Sequence, residues 1–584
     1  MVNIVQEIKT KIIKSAKVEF GLDLPESNII LNRSSGEDHG DLATNVSVYI
    51  SKLVNKPPAE VCFCLARNIK PEISKSLYLE SVSNADIFLN FKLKQTFFLY
   101  ELGNLLNKGD CVTKNKWAEK IKILFEFAHP NTHKIFHVGH LRTLTVGESM
   151  SRIYESLGAN VKRINYQGDI GLHVAKSLWG IKKILFDSPL ELKHLFKKPL
   201  SEKLHIMSQA YVLGSSEYEN NSSSKEEILK LNKDIYNLST KETRDLWNET
   251  RTWSLEAFDK IYEKFGTHFD RFYFESEVWV RGLKIAKRAL KRGILVKSEG
   301  AVIFSGEKYG LHSRVFITQE GLPTYEAKEL GLAELEFSEF GEISKCVHVV
   351  ASEQESFFKV TFKVQELLDP KKYKDKQRHL VYGYVNLKGK KMSSRKGVVV
   401  MGEEVVNMVF SKVKDIMSNR NLDNPDETAL KLTVAAIKYF MLKYSIKKDI
   451  VFDINESISL EGNSGPYLVY TFARANSIVN NASIEMQSDK GAWDFSDNLE
   501  ISLLKWLERF PEVVLIAGKN YSPNVICVYL YELAQRFNAF YQKLPVLTAE
   551  SAEQKSSRVS LTKAVSIVLK SGLNMLGIET VEKM

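Results

Sequence analysis

The sequence predicts an α/β protein: a doubly wound parallel sheet interrupted by a helical insertion, preceded by a small α+β region and followed by an all-α region. Three observations predict it. From about 115 to 185, β-rich apolar runs alternate with helically spaced ones: IKILFEFA (121–128), a helix after His140, VKRINYQGDIG (161–171), then another helix. Between about 186 and 290 the pattern turns helical and charged around the polar stretch SSEYENNSSSKEE (215–227), which reads as a mobile loop. From Asn424 to the end almost everything keeps a helical period.

Taken in order, VNIVQEIKTKIIKSA opens the chain as an amphipathic helix through Ile4, Ile8 and Ile12. GDLATNVSVYISKLV (40–54) and a strand in IFLNFKL (87–93) complete a small α+β domain over 1–110. The sheet domain spans 111–400, with its insertion at about 186–290, and the sheet resumes at AVIFS (301–305), CVHVVA (346–351) and HLVYGYVNL (379–387). A connecting segment (401–423) leads to the helical domain (424–584). Asn424 is a capping residue, Pro425 suits the first helical position, and Asp426 and Glu427 complement the positive helix end.

At 584 residues the chain is too long for one core, and 44% hydrophobic with 26% charged residues is the balance of a globular protein. The net charge of +10 permits nucleic-acid binding, though a solvated surface gives the same balance. The five cysteines (62, 64, 111, 346, 527) form no CxxC pair, which argues against zinc and against a secreted disulfide framework. The longest apolar runs, such as VVLIAG (513–518), are too short for a membrane span, and Glu7 and Glu19 spoil a transit peptide. A cytoplasmic protein is expected.

Four of the twelve histidines fall in HPNTHKIFHVGHLRT (129–143), between a strand and a helix marked by Leu141, Val146, Met150, Ile153 and Leu157. A glycine there admits a ligand to the backbone, and the helix N-terminus offers unpaired N–H groups to an anion. His137 and His140, flanking Gly139, can add donors for phosphate oxygens. A metal site is the alternative, but Pro130 and Gly139 prevent a continuous helix from aligning the imidazoles. A second run, KGKKMSSRKG (388–397), sets small hydroxyl residues among cations: Lys391, Ser393, Ser394, Arg395 and Lys396 can surround a polyphosphate. Alone, such a loop also fits a solvated surface.

The two runs in this order resemble the HIGH and KMSKS signatures of class I aminoacyl-tRNA synthetases. More narrowly, FEFAHPNTHKIFHVGHLRT, INYQGDIG (164–171) and SGPYLVYTFAR (464–474) resemble the arginyl-tRNA synthetases over essentially the whole chain. The resemblance implies a Rossmann-type catalytic domain, an N-terminal tRNA-contacting domain and a helical anticodon-binding domain. It implies ATP-dependent activation of L-arginine and transfer to the terminal ribose of tRNA(Arg), with Mg²⁺ accompanying ATP, no zinc or other protein-bound metal, and a monomeric enzyme. The family usually needs its tRNA before it activates the amino acid.

Residue by residue, the resemblance assigns His137 and His140 to ATP phosphates in the transition state and Gly139 to nucleotide clearance. Lys391, Met392, Ser393 and Ser394 belong to the mobile ATP loop, with Lys391 over the pyrophosphate. Ser394 stands where many class I enzymes carry lysine, and Lys134, just before the HIGH segment, is the compensating cation; an exposed loop lysine is its alternative. Arginine demands carboxylates, because a guanidinium is a planar fork that pairs with them bidentately and stays charged. The resemblance supplies Glu126, Asn131, Tyr325, Glu329 and Gln354, with Glu329 in the place of a common aspartate. For tRNA it points to Tyr467, Tyr470 and Arg474, at i, i+3 and i+7 on one helical face, where core packing is the competing use of tyrosines. VSNADIFLNF (82–91) lacks the glycine- and proline-containing turn usual before its phenylalanine. Two other function classes compete. One is a nucleotidyltransferase acting on a small molecule, which leaves 424–584 without purpose. The other is a tRNA-binding protein without catalysis, which His137, Gly139, His140 and Lys391 argue against.

Overall fold

The structure, a computed structural model, describes residues 4–34, 39–109, 116–389, 400–418, 424–482 and 493–583. They fall into two compact units. The first comprises the described residues of 1–109, 483–508 and 543–564. It opens with α1 (Ile4–Phe20), which buries Ile4, Ile8 and Ile12 as their spacing predicts. There follow β1 (Asn32–Arg33), β2 (Leu42–Thr44), α2 (Val46–Val54), α3 (Pro58–Ile73), β3 (Leu79–Ala85), β4 (Phe88–Leu93) and α4 (Gln95–Lys108). The strands pair antiparallel in the order β1-β2-β4-β3. Part of the segment that sequence periodicity assigns to the last helical domain lies in this unit. Long-range polar contacts invisible to periodicity hold it there: Asp41 accepts from the Leu93 N–H and pairs with Lys505, each at 2.8 Å, while Arg33 pairs with Glu508 at 2.8 Å.

The second unit is built on a five-stranded parallel sheet. β5 (Lys122–Glu126), α5 (Val138–Ser156), β6 (Asn160–Gln167) and α6 (Leu172–Ile184) follow the predicted alternation. Four further helices come next: α7 (Pro189–Phe196), α8 (Leu200–Asn220), α9 (Ser222–Asn237) and α10 (Lys241–Lys264). The stretch 215–227, read as a loop, is therefore helical apart from a one-residue break. Asn221 caps α9 by accepting from the Ser223 and Ser224 N–H groups, and buried Ser224 and Ile228 anchor the helix that polar composition disguised.

The sheet resumes earlier than expected, at β7 (Arg271–Phe274), which pairs with β6 inside the span read as insertion; α11 (Glu275–Lys291) follows directly. AVIFS does not join this sheet. It forms the centre of a separate antiparallel one, β8 (Val296–Ser298), β9 (Ala301–Phe304) and β10 (Arg314–Ile317), because hairpins make a local sheet cheaper than a crossover. After α12 (Tyr325–Glu339) come β11 (Lys345–Ala351), α13 (Glu355–Leu368), α14 (Pro370–Tyr373) and β12 (Gln377–Tyr382). The order β12-β11-β5-β6-β7 reverses direction between β5 and β11. A crevice at the carboxyl ends of the strands opens at such a switch point.

β13 (Val385–Leu387) and, beyond α15 (Gly402–Met417) and α16 (Pro425–Leu442), β14 (Ile450–Phe452) pair in parallel. Asn424 occupies the cap position of α16 with Pro425, Asp426 and Glu427 in the first turn, but its side chain makes no capping bond to the backbone. α17 (Ile454–Ser457) and α18 (Gly465–Asn480) precede helices over Phe510–Asn520, Asn524–Lys543 and Ala552–Met575. Among the described residues no helix is long and apolar enough to cross a membrane.

Candidate active site

The turn after β5 is fastened before it reaches α5. Ala128, His129 and His133 all adopt positive φ (76°, 49° and 61°), a conformation that persists only where the surroundings enforce it. The His133 N–H donates to Ser254 Oγ at 2.9 Å, and its ring nitrogens meet Thr132 Oγ1 at 2.9 Å and Thr250 Oγ1 at 2.7 Å. Burial, then the nearby Arg251 charge, push the His133 pKa down to about 3, so this imidazole is a neutral fastener to α10.

His137 and His140 cap α5 reciprocally. The Gly139 N–H donates to His137 Nδ1 and the His137 N–H to His140 Nδ1, both at 3.1 Å, and the rings stack with centroids 3.7 Å apart. Because each Nδ1 is an acceptor, the proton of each neutral ring belongs on Nε2, leaving two N–H donors beside the helix N-terminus. Burial, reinforced by the charge of Lys134, takes His137 down to about 4. Burial, then His137, hold His140 well below the ordinary histidine range. Gly139 is required locally, since a Cβ there would sit 2.9 Å from the His137 ring. Lys134 lies half-buried with its ammonium 5.7 Å from the Tyr211 ring centre.

Lys391, Met392, Ser393 and Ser394 lie outside the described residues. The chain that follows them returns to the HVGH turn. The Val138 N–H donates to Val400 O at 3.2 Å, and the Gly402 N–H to Phe136 O at 2.8 Å.

Beneath the turn sits a buried acidic cluster. Glu126 ends β5 and is the register partner of His348 on β11, with Glu126 Oε2 and His348 Nδ1 2.8 Å apart as an ion pair. His129 Nδ1 stands 3.4 Å from Glu126 Oε1. Glu329 and Glu336, two turns apart on α12, complete the cluster and are buried. Burial pushes the Glu126 carboxyl up, but the charge of His348 outweighs that and holds it below the usual range. Burial raises Glu329 to about 7, opposed by His348 and reinforced by Glu126. Burial and then the Glu126 charge put Glu336 well above the carboxylate range. Among the described residues, Glu329 Oε1 meets no hydrogen-bond donor, and the Glu126 Oε2–His348 Nδ1 contact is an ion pair outside hydrogen-bond geometry.

The remaining expected residues are more dispersed. Asn131 lies against Gly168, where an added Cβ would run into its Oδ1, with Glu275 Oε1 on the same side. Tyr325 opens α12 and is exposed, its ring centre 5.2 Å from the Lys328 ammonium. Gln354 is exposed just ahead of α13. The structure thus gathers Glu126 and Glu329 and leaves Tyr325 and Gln354 at the surface. Sequence reasoning missed His348, Glu336 and the buried Lys328–Glu275 pair (2.6 Å). The i, i+7 spacing of Glu329 and Glu336 was a usable signal; nothing local marked His348.

On α18 the three residues expected to share a binding face lie side by side but differ in burial. Tyr467 is buried, its hydroxyl accepting from Asn538 Nδ2 at 2.9 Å, because its helical position faces Asn524–Lys543. Tyr470 and Arg474 are half-buried, with the guanidinium 4.8 Å from the Tyr470 ring centre and Nη1 3.0 Å from Asn538 Oδ1.

Three family profiles match the chain: the arginyl-tRNA synthetase N-terminal domain over residues 3–93, the class I (R) tRNA synthetase catalytic domain over 101–454, and the DALR anticodon-binding domain over 468–584. The arginine–tRNA ligase of Borreliella afzelii is 31% identical, covering 100% of this chain and 99% of the relative. That of Clostridium kluyveri is 31% identical over 92% of this chain and 96% of its own. Among solved structures, the Thermus thermophilus arginyl-tRNA synthetase superposes with a TM-score of 0.79 at 24% identity, covering 100% of both chains. The Plasmodium falciparum arginyl-tRNA synthetase does so with a TM-score of 0.79 at 22% identity, covering 100% of this chain and 99% of its own.

Proposed function

The chain belongs to the arginyl-tRNA synthetase family, and from that premise we propose how its residues divide the work of an arginine–tRNA ligase. The enzyme activates L-arginine with ATP and passes the arginyl group to tRNA(Arg). In the first step an arginine carboxylate oxygen bonds to the α-phosphorus as the bond to the bridging oxygen breaks and pyrophosphate leaves. In the second, the 2′-hydroxyl of the terminal ribose attacks the arginyl carbonyl and AMP departs.

Such transfers ask a protein chiefly for alignment and charge stabilisation. His137 and His140 donate through Nε2–H to ATP phosphate oxygens, and Gly139 leaves room for the nucleotide. Lys391, Met392, Ser393 and Ser394 close over the pyrophosphate, with Lys134 as the cation that Ser394 does not supply. Mg²⁺ travels with ATP as part of the substrate. Glu126 and Glu329 accept from the guanidinium, Asn131 and Gln354 bind the amino-acid end, and Tyr325 swings over the ligand. Residues 1–110 contact the tRNA and 424–584 hold its anticodon, with Tyr470 and Arg474 as the stacking and phosphate groups and Tyr467 setting their helix. The enzyme works as a cytoplasmic monomer.

The single observation that supports the two-motif site best is the return of the chain after 390–399 to the HVGH turn through the Val138–Val400 and Phe136–Gly402 bonds. The test is amino-acid-dependent ATP–pyrophosphate exchange with all twenty amino acids, with and without tRNA. Exchange with arginine alone, and only when its tRNA is present, is expected. Exchange driven by another amino acid overturns the arginine reading.

A further inference from the structure

The acidic cluster holds three buried carboxyls within one helix face and one strand end; two imidazoles reach Glu126, His348 at 2.8 Å and, farther off and held below its ordinary range by burial, His129 at 3.4 Å. The other His348 ring nitrogen, Nε2, stands 2.9 Å from Gln377 Oε1. Gln377 Nε2 in turn donates to Gln365 Oε1 at 2.9 Å, while the buried Gln365 amide nitrogen makes no hydrogen bond among the described residues. Gln377 presents its amide oxygen to His348. An amide oxygen at Nε2 and a carboxylate oxygen 2.8 Å from Nδ1 both favour the charged imidazole.

We propose that His348, braced by Gln377, is the positioning residue of the arginine pocket: it holds Glu126 ionised and in place, so that this carboxylate is ready for a guanidinium. This rests on the reading that Glu126 and Glu329 receive that group. Buried acids without a counter-charge neutralise themselves by binding protons, and a protonated acid cannot serve a ligand that only donates. The groups facing His348 agree on this role. Glu126 from β5 and Glu329 from α12 favour its charge, while burial first raises Glu336 from α12 and Cys346 from its own strand toward their neutral forms and holds His129 and His379 below their ordinary range. The Phe358 and Phe362 rings, with centres 5.1 and 5.4 Å away, close its remaining faces and fix the imidazole plane.

The experiment measures kcat and KM for arginine and ATP in the full-length enzyme with tRNA, from pH 6 to 9, for wild type, His348→Asn and Gln377→Leu. Asparagine keeps a donor toward Glu126 and loses the charge. The expected result is a 10- to 100-fold rise in arginine KM at pH 7 that shrinks as pH rises and Glu126 loses its acquired proton. kcat and ATP KM stay within about threefold. Gln377→Leu moves the same parameter in the same direction by a smaller factor, and it carries the test if His348→Asn does not fold. Arginine KM within twofold of wild type across the pH range, in a folded variant, overturns the proposal. Glu126→Gln and Glu329→Gln separate the two levels. If they leave arginine KM unchanged, the pocket reading itself fails; if they raise it while His348→Asn does not, only the role of His348 fails.

Discussion

The HVGH turn and the acidic cluster lie one above the other, yet they are made in opposite ways. The turn is local: His137, Gly139 and His140 satisfy one another through three residues of backbone, and both imidazoles are held neutral. The cluster is assembled from β5, β11, β12, α12 and α13, with Glu126 and Gln377 some 250 residues apart, and it is held together by charge. A nucleotide's phosphates bring their own charge and need donors. A guanidinium brings five donors and needs charge waiting for it. The difference teaches that one substrate is met by local geometry and the other by a preassembled field.

The largest expected effect comes from breaking that field. Glu126→Gln keeps the shape but leaves the His348 cation without its partner, and losing one member of a buried ion pair costs about 2–5 kcal/mol. Arginine KM in tRNA-dependent exchange is expected to rise at least 30-fold, with ATP KM nearly unchanged. A parallel rise in ATP KM would show that the two regions are not separate devices.

Second in size is His140→Ala. It removes one of two neutral donors and is expected to cost about 2–4 kcal/mol of transition-state stabilisation, read as kcat, with arginine KM held. The pH dependence sharpens the contrast. With His137 brought down to about 4, its neutral form persists in the folded protein well below the ordinary 6.5. The unfolded chain binds that proton first as pH falls, so this group's contribution to stability is whole above about 6.5 and fades toward 4. The kcat profile is accordingly expected to show no histidine inflection between pH 6 and 8. An inflection near 6.5 that disappears in His137→Asn would mean the imidazole works as a cation.

The same contrast explains what the sequence made legible. Strand, turn and helix around 121–157 were readable because each residue's role there depends on neighbours a few positions away. So were α1 and the start of α16. The two-turn spacing of Glu329 and Glu336 on α12 was also readable, whereas the pairing of Glu126 with His348 depends on strand register across more than two hundred residues. AVIFS and β7 were misallocated for that reason: periodicity identifies a strand but not the sheet it joins. The stretch 215–227 misled differently, since its serines and asparagines carry turn propensity that a single Asn221 cap and a few buried contacts override. Tyr467 turned inward because helical spacing defines a face without saying whether solvent or a neighbouring helix covers it.

The smallest expected effect lies where the two regions meet. Gly168 follows β6 directly, its carbonyl accepts the Thr132 N–H at 2.9 Å, and the space a Cβ would take is filled by Asn131 Oδ1. Gly168 does not have a positive φ, so alanine brings no backbone strain; what must yield is the end of the Asn131 side chain. Gly168→Ala therefore displaces one hydrogen-bonding amide and leaves His137, His140 and Glu126 where they are. Losing one such contact to ligand is worth about 1 kcal/mol, so arginine KM should rise roughly fivefold with kcat and thermal stability nearly constant. Because Asn131 lies between the strand end that carries Glu126 and the turn that carries His137, the measurement also decides to which device it belongs. A rise confined to arginine KM assigns Asn131 to the amino-acid side, while an equal change in ATP KM assigns it to the phosphate side.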